Sequence, residues 1–187
     1  MSFFPAYFNL KDKKILLIGG GFIALEKLEK LVDFTNNITV ITEELSDEFL
    51  SFATKQDIAI KKRSYKRGDI DGYDIVIVAT NGVKIHKEIY QESRSSRILV
   101  NSVDDTAYCD FIFPSYIKKG DLTISVSTSG ASPAMAKKLR QYIEKLIPSN
   151  IAEFLQEMKG LRKTMPKGRE RMQFFEDKTD NFFKKHL

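Results

Sequence analysis

The stretch that most constrains this chain is Lys13-Lys14-Ile15-Leu16-Leu17-Ile18-Gly19-Gly20-Gly21-Phe22-Ile23-Ala24-Leu25. A short apolar run stops at three glycines, and apolar residues of helical period follow at Ile23, Leu25, Leu28, Leu31 and Val32. That pattern reads as strand, tight turn, helix. In Gly19-x-Gly21-x-x-Ala24, Gly19 can take the backbone angles of a sharp turn, Gly21 has no side chain to block a pyrophosphate, and Ala24 lets the helix pack closely on the strand. The N–H groups at the helix start then face an anion. Gly19, Gly20, Gly21, Phe22 and Ile23 are therefore expected to cradle a dinucleotide. Glycine-rich turns of this kind also occur with no ligand. Here the strand candidate at Ile38–Thr42 supplies the context that a dinucleotide fold requires.

At 187 residues the chain can hold one full domain and a smaller appendage, and it can bury a core without disulfides. With 42% hydrophobic and 29% charged residues it belongs to the soluble globular class. The longest nearly apolar segment, Ile15 to Leu25, is too short to span a bilayer, so no membrane association is expected. The N-terminus lacks the basic start and apolar core of a secretion signal, and Cys109 is the only cysteine. A cytoplasmic setting follows as the expectation. The net charge of +5 could serve an acidic partner. The runs Lys61-Lys62-Arg63, Lys66-Arg67 and Lys118-Lys119 read instead as solvated faces, and without a helix-turn-helix or aromatic RNA motif no nucleic-acid partner is expected.

Ile38 to Thr42 ends in Glu43-Glu44, about 20 residues beyond the glycine turn, where a dinucleotide fold sets an acid against the adenosine ribose. Glu43 is the candidate, although the same acids also suit the start of the next helix. The segment Leu45-Ser46-Asp47-Glu48-Phe49 adds acids and no arginine, so a 2′-phosphate would meet repulsion and NAD is favoured over NADP. A helix is expected from Ser46 to about Lys55, a strand from Ile58 to Lys62, and a central parallel strand from Tyr73 to Ala79. The last ends at Thr80-Asn81-Gly82, the carboxyl end of a strand, where open α/β sheets bind ligands. Thr80 and Asn81 are candidate cofactor contacts; for Asn81 the simpler use is capping the helix that starts near Val83. His86, on that helix, reads as a surface residue, since no other His or Cys sits at metal spacing, and no metal site is expected. Ile98-Leu99-Val100 completes an alternation of β and α that marks a doubly wound parallel sheet.

Past Asp105 the pattern changes. Phe111–Ile117 and Leu122–Ser127 read as two strands around Lys118-Lys119-Gly120-Asp121. A two-stranded ribbon is marginal alone, so it is expected to join a second copy of the chain as a homodimer. Thr128-Ser129-Gly130-Ala131-Ser132-Pro133 then opens a helix to about Ile147 with Met135, Leu139, Tyr142 and Ile143 on one side. Its hydroxyls and N–H groups can hold a carboxylate or serve as a plain cap. Helices from Ile151 to Leu161 and from Arg169 follow. The expected fold is α/β: a Rossmann-like parallel sheet over residues 1–113, a β-hairpin dimerisation segment over 114–147, and a C-terminal helical region over 148–187.

Three motifs give the chain a wider likeness. They are Phe4-Pro5-Ala6-Tyr7-Phe8-Asn9-Leu10 leading to the glycines; Val100-Asn101-Ser102-Val103-Asp104-Asp105 followed by Cys109-Asp110-Phe111-Ile112-Phe113-Pro114; and Leu122-Thr123-Ile124-Ser125-Val126-Ser127-Thr128-Ser129-Gly130-Ala131-Ser132-Pro133-Ala134. In these, over roughly residues 3 to 147, the chain resembles the precorrin-2 dehydrogenase family of sirohaem biosynthesis, in a stand-alone form similar to the N-terminal part of sirohaem synthase. The resemblance implies NAD-dependent oxidation of the tetrapyrrole precorrin-2 to sirohydrochlorin. It carries the family's catalytic aspartate onto Asp104, a carboxylate that can take a proton and stabilise developing positive charge. Asp104-Asp105 on its own would read as a turn or helix cap. Some family members also insert Fe²⁺, and the same carboxylate could serve that step. The substrate's acetate and propionate groups call for donors, with Ser127, Thr128 and Ser129 as candidates near Lys137, Lys138 and Arg140. Two departures from the commoner family pattern stand out: Ser129 where glycine is frequent, and Asn81-Gly82 where acids are common. The alternative is an NAD(H)-sensing module without turnover.

Overall fold

Four residues in β1, Ile15–Ile18, and four in β4, Ile75–Val78, are all buried, which is why both read as unbroken Ile, Leu and Val. They lie side by side at the centre of a five-stranded parallel sheet with β2 (Ile38–Thr42), β3 (Ala59–Lys62) and β5 (Leu99–Ser102), in the order β3-β2-β1-β4-β5. The structure is a computed structural model and describes residues 3–103 and 105–186, the Val83 side chain excepted. Edge strand β3 carries Lys61 and Lys62 exposed, in keeping with its one open flank.

Helices α1 (Phe22–Val32), α2 (Asp47–Lys55) and α3 (Val83–Ser93) connect these strands. α1 turns Ala24, Leu28 and Leu31 inward at helical spacing, and α2 turns Phe49 and Ala53 inward. On one side of the sheet Leu16, Ile18, Val76, Val78 and Val100 pack with Ile70, Ile89 and Ile98. Each such side chain removed from water contributes about 1.5–3 kcal/mol. The strand order reverses between β1 and β4, and a cleft opens at their carboxyl ends.

The chain divides into two compact units, Met1–Ile112 and Phe113–Leu187. The second unit holds the antiparallel pair β6 (Ser115–Lys119) and β7 (Leu122–Val126), then α4 (Pro133–Leu146), α5 (Ile151–Thr164) and α6 (Arg169–Lys184). α4 lies against both strands, so the hairpin finds a packing partner within its own unit. β6 begins at Ser115 and not at the expected Phe111. The intervening residues are held back along β5: the Asp110 N–H donates to the Val100 carbonyl (2.8 Å), and the Asn101 amide donates to that of Phe111 (2.8 Å). On α4 it is Ala136 that is buried, while Met135, Leu139, Tyr142 and Leu146 stand exposed. Phe154 of α5 stacks on Phe182 of α6 at 4.1 Å between ring centres. Among the described residues no helix is long and apolar enough to cross a membrane.

Candidate functional site

The cleft encloses about 1210 Å³ and is lined by residues that follow the ends of β1, β2, β3, β4 and β5. Gly19, Gly20, Gly21, Phe22, Ile23, Glu43, Thr80 and Asn81 all border it. Gly19 has φ +126°, and a Cβ there would sit 2.3 Å from the Ala79 carbonyl oxygen. A Cβ on Gly20 would lie 2.4 Å from the Glu44 carbonyl oxygen. A Cβ on Gly21 would meet nothing within 4 Å among the described residues, so packing there makes no demand for a glycine. Gly21 is the N-cap of α1, and no side chain makes a cap hydrogen bond. The first-turn N–H groups, which have no partner within a helix, are therefore left for a ligand with the positive end of the helix behind them. α2 differs: the Ser46 hydroxyl accepts from the Phe49 N–H and closes that helix start. A bare cradle at α1 fits a dinucleotide pyrophosphate.

Glu43 and Glu44 precede α2 and lie outside its first turn. The Ser64 hydroxyl donates to Glu43 Oε1. Beside it is a residue that the order of the chain did not bring forward: Arg63, just past β3, also borders the cleft. Its guanidinium donates to both oxygens of Asp69 (2.6 and 2.7 Å) and to the Ser64 carbonyl (2.9 Å). The Lys66 N–H donates to the same carboxylate at 2.7 Å. Arg63, then the Lys66 N–H, hold the Asp69 carboxyl below the ordinary carboxylate range, and the pairing raises the Arg63 guanidinium in return.

At the other end His86 is buried, contrary to the surface placement expected for it. Its ring lies under the strand end, with Nε2 at 2.9 Å from the Thr80 carbonyl oxygen and 3.4 Å from the Thr80 hydroxyl. A carbonyl only accepts, so Nε2 carries the hydrogen and fixes the Thr80-Asn81-Gly82 turn from below. Nδ1 is buried and has no hydrogen-bond partner among the described residues. Asn81 is not the expected cap: the N-cap of α3 is Gly82, with no side-chain hydrogen bond, and Asn81 is exposed.

Asp104 lies outside the described residues. Its neighbours Val103 and Asp105 border the cleft, and the segment is fastened on either side. The Val103 N–H donates to the Val78 carbonyl (2.9 Å), and the Asp105 carboxylate accepts from the Ala107 N–H (3.1 Å) in a single helical turn, Thr106–Tyr108. The Cys109 thiol donates to the Ser102 carbonyl (3.1 Å) and accepts from the Ser102 N–H (3.2 Å); burial pushes this thiol up from its usual range. Asp110 accepts from both terminal guanidinium nitrogens of Arg94 (2.8 and 2.6 Å) and from the Val100 N–H (2.8 Å). Arg94, Cys109 and Asp110 were not among the expected site residues, and their part is to anchor this loop.

Ser127, Thr128 and Ser129 belong to the second unit, on the turn between β7 and α4. The Ser127 hydroxyl accepts from the Ser129 N–H (3.1 Å), and the Thr128 hydroxyl both accepts from the Ser132 N–H (3.1 Å) and donates to the Ser132 carbonyl (3.0 Å). Ser132 is the N-cap of α4, accepting from the Met135 N–H. Ser129 has φ +51°, the left-handed region that favours glycine.

A protein-family model described as "Putative NAD(P)-binding" matches residues 6–115, more than half of the chain. The chain belongs to this NAD(P)-binding family. A second model, "Sirohaem biosynthesis protein central", matches residues 119–146. Among curated relatives of this NAD(P)-binding chain, the siroheme synthase of Methylococcus capsulatus (strain ATCC 33009 / NCIMB 11132 / Bath) is 32% identical over 180 residues, 94% of this chain and 38% of that protein. The siroheme synthase of Neisseria meningitidis serogroup C (strain 053442) is 31% identical over 153 residues, 82% of this chain and 32% of that protein. The chain thus spans about a third of the length of the curated relatives it matches. A solved structure titled "SirC, precorrin-2 dehydrogenase" superposes with a TM-score of 0.77 at 23% identity, covering 90% of this chain and 85% of that one, and shares the fold. The likeness expected from the three sequence motifs is borne out, as is the α/β fold with its hairpin and C-terminal helices.

Proposed function

We propose that this chain oxidises precorrin-2 to sirohydrochlorin with NAD⁺, using Asp104 as the base. The observation that carries the reading is the bare N-terminus of α1 in a cleft that Val103 and Asp105, the two neighbours of Asp104, also border. Gly19 and Gly20 make the turn, Gly21 leaves the space, and the N–H groups of the first turn of α1 hold the pyrophosphate. Glu43, held by Ser64, takes the ribose hydroxyls, and the Thr80-Asn81 turn flanks the nicotinamide half. When bound, NAD⁺ supplies the hydride acceptor. One hydride and one proton leave the substrate as the new C=C bond forms; Asp104 takes the proton and its charge steadies the ring as positive charge develops. Support for this substrate comes from the relatives, siroheme synthases whose matching third this chain resembles, and from the match of residues 119–146 to a sirohaem biosynthesis model. Ser127, Thr128 and Ser129 are our candidates for the substrate's carboxylates. Homodimerisation belongs to the same reading: Met135, Leu139, Tyr142 and Leu146 form an exposed apolar stripe along α4. Light scattering should give twice the chain mass at micromolar concentration, and a monomer there would remove the dimer.

The test is anaerobic. Enzymatically made precorrin-2 is mixed with the protein and NAD⁺, and NADH and sirohydrochlorin are followed by absorbance. Asp104→Asn should lower turnover by about 10²–10⁴-fold with NAD⁺ still bound. Wild-type protein that binds NAD⁺ and never turns over would instead make the chain a dinucleotide-sensing module.

A further inference from the structure

We infer that Asp69 sets the coenzyme preference of this cleft, by holding the Arg63 guanidinium away from the place where a 2′-phosphate would sit. The inference rests on reading the cleft as a dinucleotide site.

The arrangement follows from the sheet. β2 and β3 run parallel with Thr42 opposite Lys62, so the residues just beyond them, Glu43 on one strand and Arg63 and Ser64 on the other, emerge together. Glu43 accepts from Ser64 through one oxygen, which leaves the other for ribose hydroxyls. Arg63 is the only arginine or lysine among the described residues that line the cleft. An arginine near this position is what accommodates a 2′-phosphate in dinucleotide folds. This one is already engaged: both terminal nitrogens are taken by the Asp69 carboxylate, in the fork geometry that phosphate would otherwise use. The holding loop is itself fastened to α3, since the Tyr65 hydroxyl (2.9 Å) and the Gly68 N–H (2.7 Å) both donate to Glu92. A 2′-phosphate would therefore meet the Glu43 carboxylate beside a guanidinium whose charge Asp69 already balances. The acids after β2 are one part of the preference for NAD, and the captive arginine is the other.

Isothermal titration of the whole chain with NAD⁺ and, separately, NADP⁺ tests this. Asp69→Asn keeps an acceptor for the Lys66 N–H and loses the fork, so it should tighten NADP⁺ by about tenfold while NAD⁺ stays within about twofold. Asp69→Asn/Arg63→Gln should lose that gain. Glu43→Gln changes an exposed side chain without freeing Arg63, and should tighten NADP⁺ by less than about threefold. An unmoved NADP⁺ to NAD⁺ ratio in folded Asp69→Asn overturns the assignment. So does a tenfold loss of NADP⁺ affinity from Arg63→Gln alone, since a guanidinium held by Asp69 has no phosphate contact to lose, and that variant decides the matter even where Asp69→Asn fails to fold. Wild-type protein that binds neither dinucleotide would sink the reading of the cleft itself, an outcome distinct from NAD⁺ binding with an unmoved ratio.

Discussion

Alanine at Gly19 and alanine at Gly21 should fail in opposite ways. At Gly19 the new Cβ would sit 2.3 Å from the Ala79 carbonyl oxygen, where ordinary contact begins at 3.4 Å, and the backbone is at φ +126°. The backbone strain costs about 1–3 kcal/mol. Parting the ends of β1 and β4 to admit the methyl costs about another 1–3 kcal/mol. A loss of about 2–6 kcal/mol lowers the melting temperature of a domain this size by roughly 10 °C or more. At Gly21 a Cβ would meet nothing within 4 Å among the described residues, and φ is −88°, a conformation alanine adopts freely. Losing glycine at an N-cap costs only about 0.5 kcal/mol, so Gly21→Ala should melt within a few degrees of the wild type. Its methyl group, however, stands at the bare helix start where the pyrophosphate must approach, and NAD⁺ affinity should fall about tenfold or more. Circular-dichroism melting and calorimetric NAD⁺ titration read the two effects separately. Gly21→Ala binding NAD⁺ as well as wild type would refute the cradle, and an unshifted melt for Gly19→Ala would refute the clash.

Two further outcomes follow from the polar contacts. His86→Leu removes the donor to the Thr80 carbonyl and should cost about 1–3 kcal/mol in a urea titration, with weaker NAD⁺ binding because the Thr80-Asn81 turn loses its support; a variant unchanged in both would make the buried ring mere filler. Acid should loosen the first unit through Asp69 and Asp74. Arg63 lowers the Asp69 carboxyl, and Lys13 with the Lys14 N–H lowers that of Asp74. A carboxyl lowered on folding stabilises fully above its unfolded value near about 4 and loses that contribution as pH falls through the folded one. The urea midpoint should therefore drop between pH 5 and pH 2 by about the usual acid limb, and Asp74→Asn should flatten part of it; an equally steep limb in that variant would remove Asp74 from the account.

What was legible in the sequence was whatever depends on neighbours along the chain. β1 and β4 are buried on both faces, so they read directly as apolar runs. The glycine turn reads directly because the conformation of Gly19 excludes other residues. His86 reads as solvated because it is a polar residue on a mostly polar helix. Its spacing carried the missed signal: His86, Ile89 and Ser93 form one inward row of α3, and all three are buried. The expected strand at Phe111 failed for a different reason. Its β-branched and aromatic residues are real, but Asp110 ties the segment to Val100 before a hairpin can begin.

Arg63 shows where reading along the chain stops. Along the chain, Glu43-Glu44 and the segment Leu45-Ser46-Asp47-Glu48-Phe49 offer acids and no arginine. In the sheet the relevant neighbour of Glu43 comes from the end of β3, brought there by the parallel register of Thr42 with Lys62. This cation is distant from Glu43 along the chain, and without Asp69 to hold it Arg63 would favour a 2′-phosphate. The charge that faces a ligand here is set by a pair, Arg63 with Asp69, and only the folded loop makes them one.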